Sequence, residues 1–193
     1  MLKSVKSNKG TKSIVKEFKK SQGNFKSQSI SVSLDKMCFE SINKINELSG
    51  IPVINENKRI VTRKEINTFD FILAILANEE IEELTLTSYR IGRKTTLMLK
   101  ELLSNNKIEK LMILISSNFP KFAPEVWNNL QTLIHTEIKL ESNHTKIMLI
   151  KTKLNKYVIE GSGNLSVNAR IEQYSFSNNK EIYDFHYNWI KNI

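Results

Sequence analysis

Four polar residues in the C-terminal third of the chain have the types and the spacing to act on a phosphoryl group. His144 and Lys146 stand two residues apart before an apolar run, and Ser162 and Asn164 follow a second apolar run. Because side chains alternate between the faces of a strand, His144 and Lys146 point the same way. A polar turn joins the two runs into a hairpin. The hairpin therefore brings an imidazole, an ammonium, a hydroxyl and a carboxamide to one end of a sheet, where they could hold and attack a phosphoryl group.

The stretches around these residues resemble the signature of the phospholipase D superfamily. That signature is His-x-Lys, four further residues and an Asp, and then Gly-Ser-x-Asn. The matching stretches here are residues 144–146 and 161–164, and the resemblance covers residues 68–193. It implies a phospholipase D-like half-domain and a phosphodiesterase. Small single-motif bacterial relatives are nucleases, so it further implies an endonuclease.

One position departs from the signature, because Lys151 stands where the superfamily has Asp. In the superfamily that Asp is not thought to contact the substrate, so the exchange is compatible with catalysis. It also replaces an acid with a base close to the motif. A catalytically silent, phospholipase D-like protein that only binds nucleic acid therefore stays open as the alternative function.

The resemblance implies a role for each motif residue. His144 is the nucleophile and forms a phosphohistidine that water then hydrolyses. Lys146 binds a non-bridging oxygen and offsets charge in the transition state. Ser162 and Asn164 hydrogen-bond the phosphoryl oxygens, with glycines beside them for close backbone approach. Outside such a cluster, the same residues would be interpreted as a strand-end histidine, a solvated lysine and a polar turn.

A nucleophilic histidine needs an orienting partner on its other ring nitrogen, commonly a carboxylate. In the superfamily this partner is a Glu that follows the Ser/Asn loop. Glu172 is the candidate in this chain, and Glu160 is the weaker alternative. The mechanism uses no metal ion, and three histidines and one cysteine without clustered carboxylates offer no obvious metal site. We therefore predict neither a cofactor nor a metal.

The chain holds one copy of the motif, since neither His135 nor His186 begins a second. Hydrolysis also needs a group that protonates the leaving oxygen, and in two-motif relatives the other half supplies it. A second subunit could supply the same histidine if two motifs met on the axis of a C2 dimer. The sequence thus predicts a homodimer with one shared site.

Basic residues concentrate near the N-terminal end. The net charge is +9, and residues 1–30 contribute eight lysines and one glutamate to it. Such an arm either contacts a phosphate backbone or is a solvated tail without a specific role. We predict nucleic acid as the partner, DNA in preference to RNA, and no membrane, because no amphipathic membrane helix is evident. The candidate contact residues are Lys12, Lys16, Lys19 and Lys20 in the arm and Arg90, Arg93 and Lys94 before a predicted helix.

The elements that must position the motif alternate between strands and helices from about residue 67 onward. This alternation predicts an α/β fold with a mixed, mostly parallel sheet and helices on both faces, to which the motif hairpin adds antiparallel strands. We divide the chain into a flexible basic arm over residues 1–28, an accessory or connecting segment over residues 29–67 and a phospholipase D-like domain over residues 68–193.

Length and composition favour an intracellular protein. A chain of 193 residues suits one domain with a tail. A single cysteine, Cys38, excludes an intramolecular disulfide framework. The longest apolar run, residues 71–77, is far short of the ~20 residues that span a bilayer, and the first residues lack the apolar core of a secretory signal. We expect the cytoplasm of a bacterial or phage-infected cell.

Overall fold

The structure is a computed structural model that describes residues 34–63, 65–166 and 170–193. The basic arm predicted over residues 1–28, with its four candidate contacts Lys12, Lys16, Lys19 and Lys20, lies outside the described residues. The chain divides into two compact units, Met1–Met37 and Cys38–Ile193. The second unit contains the whole sheet and every predicted catalytic residue.

Seven strands form a single sheet in the order β1-β7-β6-β5-β2-β3-β4. The strands are β1 (Asn57–Arg63), β2 (Ile81–Ser88), β3 (Ile108–Ser116), β4 (Thr136–Glu141), β5 (Ile147–Lys151), β6 (Lys156–Gly161) and β7 (Ile171–Asn178). The edge strand β1 pairs with β7 and lies in the segment that the sequence pattern treats as a connection. Apolar side chains fill the central strands, as expected for strands that are covered on both faces.

Six helices accompany the sheet in the described part of the chain. They are α1 (34–48), α2 (Asp70–Leu76), α3 (Arg93–Ser104), α4 (Phe119–Phe122), α5 (Pro124–Leu130) and α6 (Lys180–Lys191). The side chain of Asn179 caps α6 by accepting hydrogen bonds from the backbone N–H groups of Glu181 and Ile182, at 2.9 and 3.0 Å. This cap fixes where α6 leaves β7.

The predicted mixed α/β class is confirmed, but the prediction of a mostly parallel sheet is wrong. Only the pairs β2–β3 and β3–β4 are parallel, whereas the other four neighbouring pairs are antiparallel. A parallel pair needs a crossover of about a dozen residues or more, and α3 and α5 provide such crossovers. After β4 the connections are too short for a crossover helix, so β5, β6 and β7 form an antiparallel meander.

Helices cover both faces of the sheet, as predicted. On one face, Tyr183 and Ile190 of α6 join a buried cluster with strand residues such as Leu149 and Val158. On the other face, Phe71 of α2 meets the ring of Phe176 edge-on at 5.1 Å. Burying one such side chain contributes about 1.5–3 kcal/mol, so the two layers hold the strand ends in a fixed arrangement. None of the described helices is long and apolar enough to cross a membrane.

Candidate active site

The ends of four neighbouring strands lie side by side at one end of the sheet. The last residues of β2 lie opposite the first residue of β5, with Thr87 paired to Ile147. The end of β6 then lies opposite the start of β7, with Gly161 paired to Tyr174. Every predicted catalytic residue lies at or just beyond these ends, because the motif hairpin and β7 are antiparallel neighbours.

His144 and Lys146 lie just before β5 rather than within it, and the structure brings their side chains together. The Nζ atom of Lys146 lies 3.0 Å from Nδ1 of His144 and donates a hydrogen bond of 2.6 Å to the carbonyl oxygen of the same residue. The side chain of His144 is exposed, whereas that of Lys146 is partly buried. The backbone N–H of Gly161 donates to the carbonyl of Lys146 at 3.1 Å, so the hairpin pairing extends to this residue.

Asn143, which the sequence reasoning missed, holds the segment before the histidine. Its buried side-chain amide donates to the carbonyl oxygens of Ser88 and Leu114, each at 3.2 Å. Its side-chain oxygen accepts from the backbone N–H of Thr145 at 2.9 Å. Asn143 thereby ties the motif to the ends of β2 and β3. An Asn directly before the motif is a turn former, and this was the only sequence signal for its role.

The loop after β6 is also anchored. Ser162 donates a hydrogen bond to the carboxylate of Glu172, and its hydroxyl accepts from the backbone N–H of Gln173 at 3.1 Å. The side-chain oxygen of Asn164 lies 3.4 Å from the hydroxyl of Ser88 at the end of β2. The loop thus joins β7 on one side and β2 on the other.

The glycines of this loop make room for Tyr174 of β7, which the sequence reasoning also missed. A Cβ on Gly161 would lie 2.4 Å from the ring of Tyr174, and one on Gly163 would lie 2.4 Å from its hydroxyl. Thr68 lies beneath the same loop, with its hydroxyl 3.1 Å from that of Tyr174 and 3.2 Å from the carbonyl of Gly163. Burial raises the pKa of Tyr174, which keeps this hydroxyl neutral.

Burial and one nearby charge set the electrostatics of Lys146. Its partial burial lowers the pKa of the ammonium, and the negative charge of Glu172 opposes this by raising it. Glu172 itself is buried, with 7% of its surface exposed. The weaker candidate, Glu160, lies 3.2 Å from Nε2 of His186 on α6. Because Glu160 and Val158 share a strand face, Glu160 lies on the opposite side of the sheet from the loop.

Lys151 lies at the opposite end of β5 from the motif histidine. At about 3.4 Å per strand residue it is roughly 17 Å from Lys146. There it pairs with Lys156 across the hairpin, and its Nζ atom lies 2.9 Å from the carboxylate of Glu82. The hydrogen bond to Glu82 raises the pKa of Lys151. The exchange of Asp for Lys therefore changes the far end of the sheet and not the cluster around His144.

The second set of predicted nucleic-acid contacts lies beside the site. Arg90 follows β2, is exposed, and accepts a hydrogen bond of 2.8 Å from the hydroxyl of Ser88 through its carbonyl. Arg93 and Lys94 begin α3, and both are exposed. Arg93 forms an exposed ion pair with Glu125 at 3.2 Å. Arg90 and Lys94 thus present positive charge near the strand ends, whereas that of Arg93 is partly offset.

Within the described residues, no three His, Cys, Asp or Glu side chains are grouped closely enough to hold a metal ion. The side chains of the cluster carry several functional groups. These are an exposed imidazole, a neighbouring ammonium, a hydroxyl linked to a buried carboxylate, and a carboxamide.

No protein-family model and no curated protein matches this chain. Solved structures do share its fold. NucT from Helicobacter pylori aligns with a TM-score of 0.54 and 14% identity, over 71% of this chain and 95% of NucT. Polyphosphate kinase from Porphyromonas gingivalis aligns with a TM-score of 0.57 and 12% identity, over 70% of this chain and 25% of that enzyme. These phospholipase D-like neighbours confirm the predicted fold, and at such identities they show the fold alone.

Proposed function

We propose that this protein is a phosphodiesterase that hydrolyses nucleic-acid phosphodiester bonds through a covalent phosphohistidine, in a site shared by two subunits. The observation that carries the proposal is that His144 and Lys146 lie at the same strand ends that present Ser162 and Asn164. The phospholipase D-like fold supports a phosphodiester-related role. One structural neighbour is named as a kinase of polyphosphate, which supports a site suited to phosphoryl groups.

In the first step, Nε2 of His144 attacks phosphorus, and the bond from phosphorus to the leaving oxygen breaks. For Nε2 to be the nucleophile, Nδ1 must hold the ring proton. An ammonium cannot accept that proton, so Lys146 has to leave Nδ1 when it binds a non-bridging oxygen. Glu172, whose charge already acts on Lys146, is the carboxylate proposed to accept the hydrogen bond from Nδ1–H.

In the second step, water attacks the phosphohistidine, and the bond between phosphorus and nitrogen breaks. The leaving oxygen of the first step needs a proton, and we assign this role to His144 of the partner subunit. That residue then acts as the base that takes a proton from the attacking water. Ser162 and Asn164 hold the phosphoryl oxygens in both steps.

Nucleic acid is proposed as the substrate because of charge. The chain carries a net charge of +9, and a basic protein gains affinity for a polyanion when its lysines and arginines displace the condensed counterions into solution. Arg90 and Lys94 lie beside the cluster, where they would contact the strand on either side of the cleaved phosphate. We propose DNA in preference to RNA.

The test is cleavage of labelled single- and double-stranded DNA, RNA and a small phosphodiester, in the presence of EDTA. Wild type is expected to cleave DNA, and His144→Ala is expected to bind it with little change and not to cleave it. His135→Asn is the matched control, because His135 is exposed with a positive φ of 50°, a conformation that Asn tolerates. A strict requirement for a divalent ion would contradict the phosphohistidine route.

The alternative is a phospholipase D-like protein that binds nucleic acid without cleaving it. The contact between Lys146 and Nδ1 favours it, because an imidazole that accepts from an ammonium at Nδ1 carries its proton on Nε2 and is not a nucleophile there. Salt-dependent DNA binding without cleavage, unchanged in His144→Ala, would support this alternative.

A further inference from the structure

A row of aromatic rings leads from the protein interior to the candidate nucleophile. Phe119 meets Phe122 edge-on at 5.4 Å, and Phe122 stacks on Tyr89 at 5.6 Å with an angle of 24° between the rings. Tyr89 in turn lies 5.3 Å from the ring of His144 at an angle of 50°. Phe119 and Phe122 belong to α4 and Tyr89 directly follows β2, so the fold fixes where these three rings lie.

The rings of this row differ in exposure, and Phe122 is more exposed than the rings on either side of it, Phe119 and Tyr89. Phe119 is fully buried, whereas 45% of the Phe122 surface is exposed. A single exposed apolar side chain is common and has no meaning by itself. Phe122 differs because it already stacks on Tyr89, whose ring lies 5.3 Å from that of His144. A planar group placed on the exposed part of Phe122 would therefore extend an existing row of rings that ends at His144.

The exposed charged residues that adjoin Tyr89 and Phe122 in the sequence are positive. Arg90 follows Tyr89 directly, Lys121 precedes Phe122, and both side chains are exposed. Glu125 is also close, but it forms an ion pair with Arg93. An exposed aromatic ring bordered by free basic groups is complementary to a nucleotide, which combines a flat base with a negative phosphate.

We propose that Phe122 and Tyr89 stack an unpaired base of a single-stranded nucleic acid next to the phosphodiester bound at His144. The inference rests on the proposed function and narrows its substrate class. Stacking on aromatic rings tolerates any sequence because every base has a π-face. In a duplex both faces of a base are covered by its neighbours, so the platform selects single strands, loops or frayed ends. Arg90 and Lys121 contact the phosphates that flank the stacked base.

The test measures binding in a variant that cannot cleave, so that affinity is separated from activity. His144→Asn serves as the background, because Asn keeps a planar polar group beside Tyr89. Two probes of equal length are compared, a fluorescent oligothymidylate and an abasic sugar–phosphate strand. Phe122→Ala is expected to weaken binding of the oligothymidylate roughly 5- to 150-fold and to leave binding of the abasic strand unchanged.

Two conservative variants serve as controls for the ring itself. Phe122→Trp and Tyr89→Phe keep an aromatic surface and are expected to retain the preference for the strand with bases. Circular dichroism of each variant checks the fold, and Phe122→Trp provides the comparison if Phe122→Ala is unstable. A preference that is lost in Phe122→Trp as well would overturn the proposal.

Other outcomes separate this inference from the proposed function. An equal loss of affinity for both strands in Phe122→Ala overturns the stacking platform. A change from dimer to monomer in sedimentation, with the same loss on both strands, also overturns it, because Phe122 would then belong to a subunit interface. Wild type that binds bases selectively but cleaves nothing overturns the proposed function and supports the platform.

Discussion

The ammonium of Lys146 lies 3.0 Å from Nδ1 of His144, so the two residues predicted to act on the same phosphoryl group contact each other. The contact keeps the lysine next to the position where the phosphate would bind. In the proposed mechanism the imidazole therefore exchanges this partner for Glu172 before Nε2 attacks phosphorus. The consequences of this pairing can be measured.

Replacing Lys146 tests whether its charge acts in the transition state. Lys146→Met removes the ammonium and keeps much of the side-chain volume, and we expect kcat to fall by about 10²–10³, the usual effect of losing one donor to a developing negative charge. Lys153→Met, in the turn at the far end of the hairpin, is the matched control and should leave kcat unchanged. A loss confined to KM would show that Lys146 contributes uniform binding only.

The pH dependence follows from the same lysine. In the proposed mechanism the protonated form of Lys146 is the active one, and burial lowers its pKa while Glu172 raises it. Activity should therefore fall on the alkaline side at a lower pH than an ordinary lysine would give. Glu172→Gln removes the negative charge that favours the protonated ammonium, so this alkaline limb should move to still lower pH.

The measurement is kcat/KM against pH, which reports groups of the free enzyme. Glu80→Gln changes an exposed carboxylate away from the site and should leave the profile in place. An alkaline limb that moves upward in Glu172→Gln would contradict the assigned interaction between Glu172 and Lys146.

The sequence predicted the motif cluster because its geometry is local. The spacing of His144 and Lys146 and the short hairpin to Ser162 determine which side chains approach one another, whatever the rest of the chain does. The sheet direction was not predictable in this way. The pattern of apolar runs identifies strands, but it does not show that β5 adds to β2 antiparallel.

The residues that the sequence analysis missed make contacts with residues that are far away in the sequence. Asn143 reaches back to Ser88, and Tyr174 contacts Thr68 and lies against Gly161 and Gly163. Such contacts exist only once the sheet has assembled, and no spacing in the sequence predicts them. The motif suggested that its glycines allow close approach to a ligand. The structure shows that they allow close approach to a tyrosine.

Gly163→Ala tests that explanation of the glycine. The new Cβ would lie 2.4 Å from the Tyr174 hydroxyl and 2.7 Å from that of Thr68, so we expect a loss of roughly 1–3 kcal/mol in the free energy of unfolding. Adding Tyr174→Phe removes one of the two clashing atoms and should restore part of the loss. Gly92→Ala, whose nearest neighbour is at 3.4 Å, should have a much smaller effect. Urea denaturation of wild type and the three variants measures these differences.

Lys151→Met tests whether the missing Asp of the signature matters. The side chain lies at the far end of β5 and forms an exposed ion pair with Glu82, and such pairs contribute about 0–1 kcal/mol. We expect kcat and KM to stay at wild-type values and the free energy of unfolding to change by no more than that. A large loss of activity would mean that a substitution at this end of the sheet affects the cluster around His144.

Mixing subunits tests whether two copies share one site. If one His144 attacks while that of the partner subunit donates the proton, a dimer with one His144→Asn subunit is inactive. After subunit exchange at equal concentrations, only the dimers with two wild-type subunits remain active, about a quarter of the total in a C2 dimer. Independent sites would retain about half. His135→Asn, mixed in the same way, should cause no loss, and activity that falls only in proportion to the wild-type fraction would contradict the shared site.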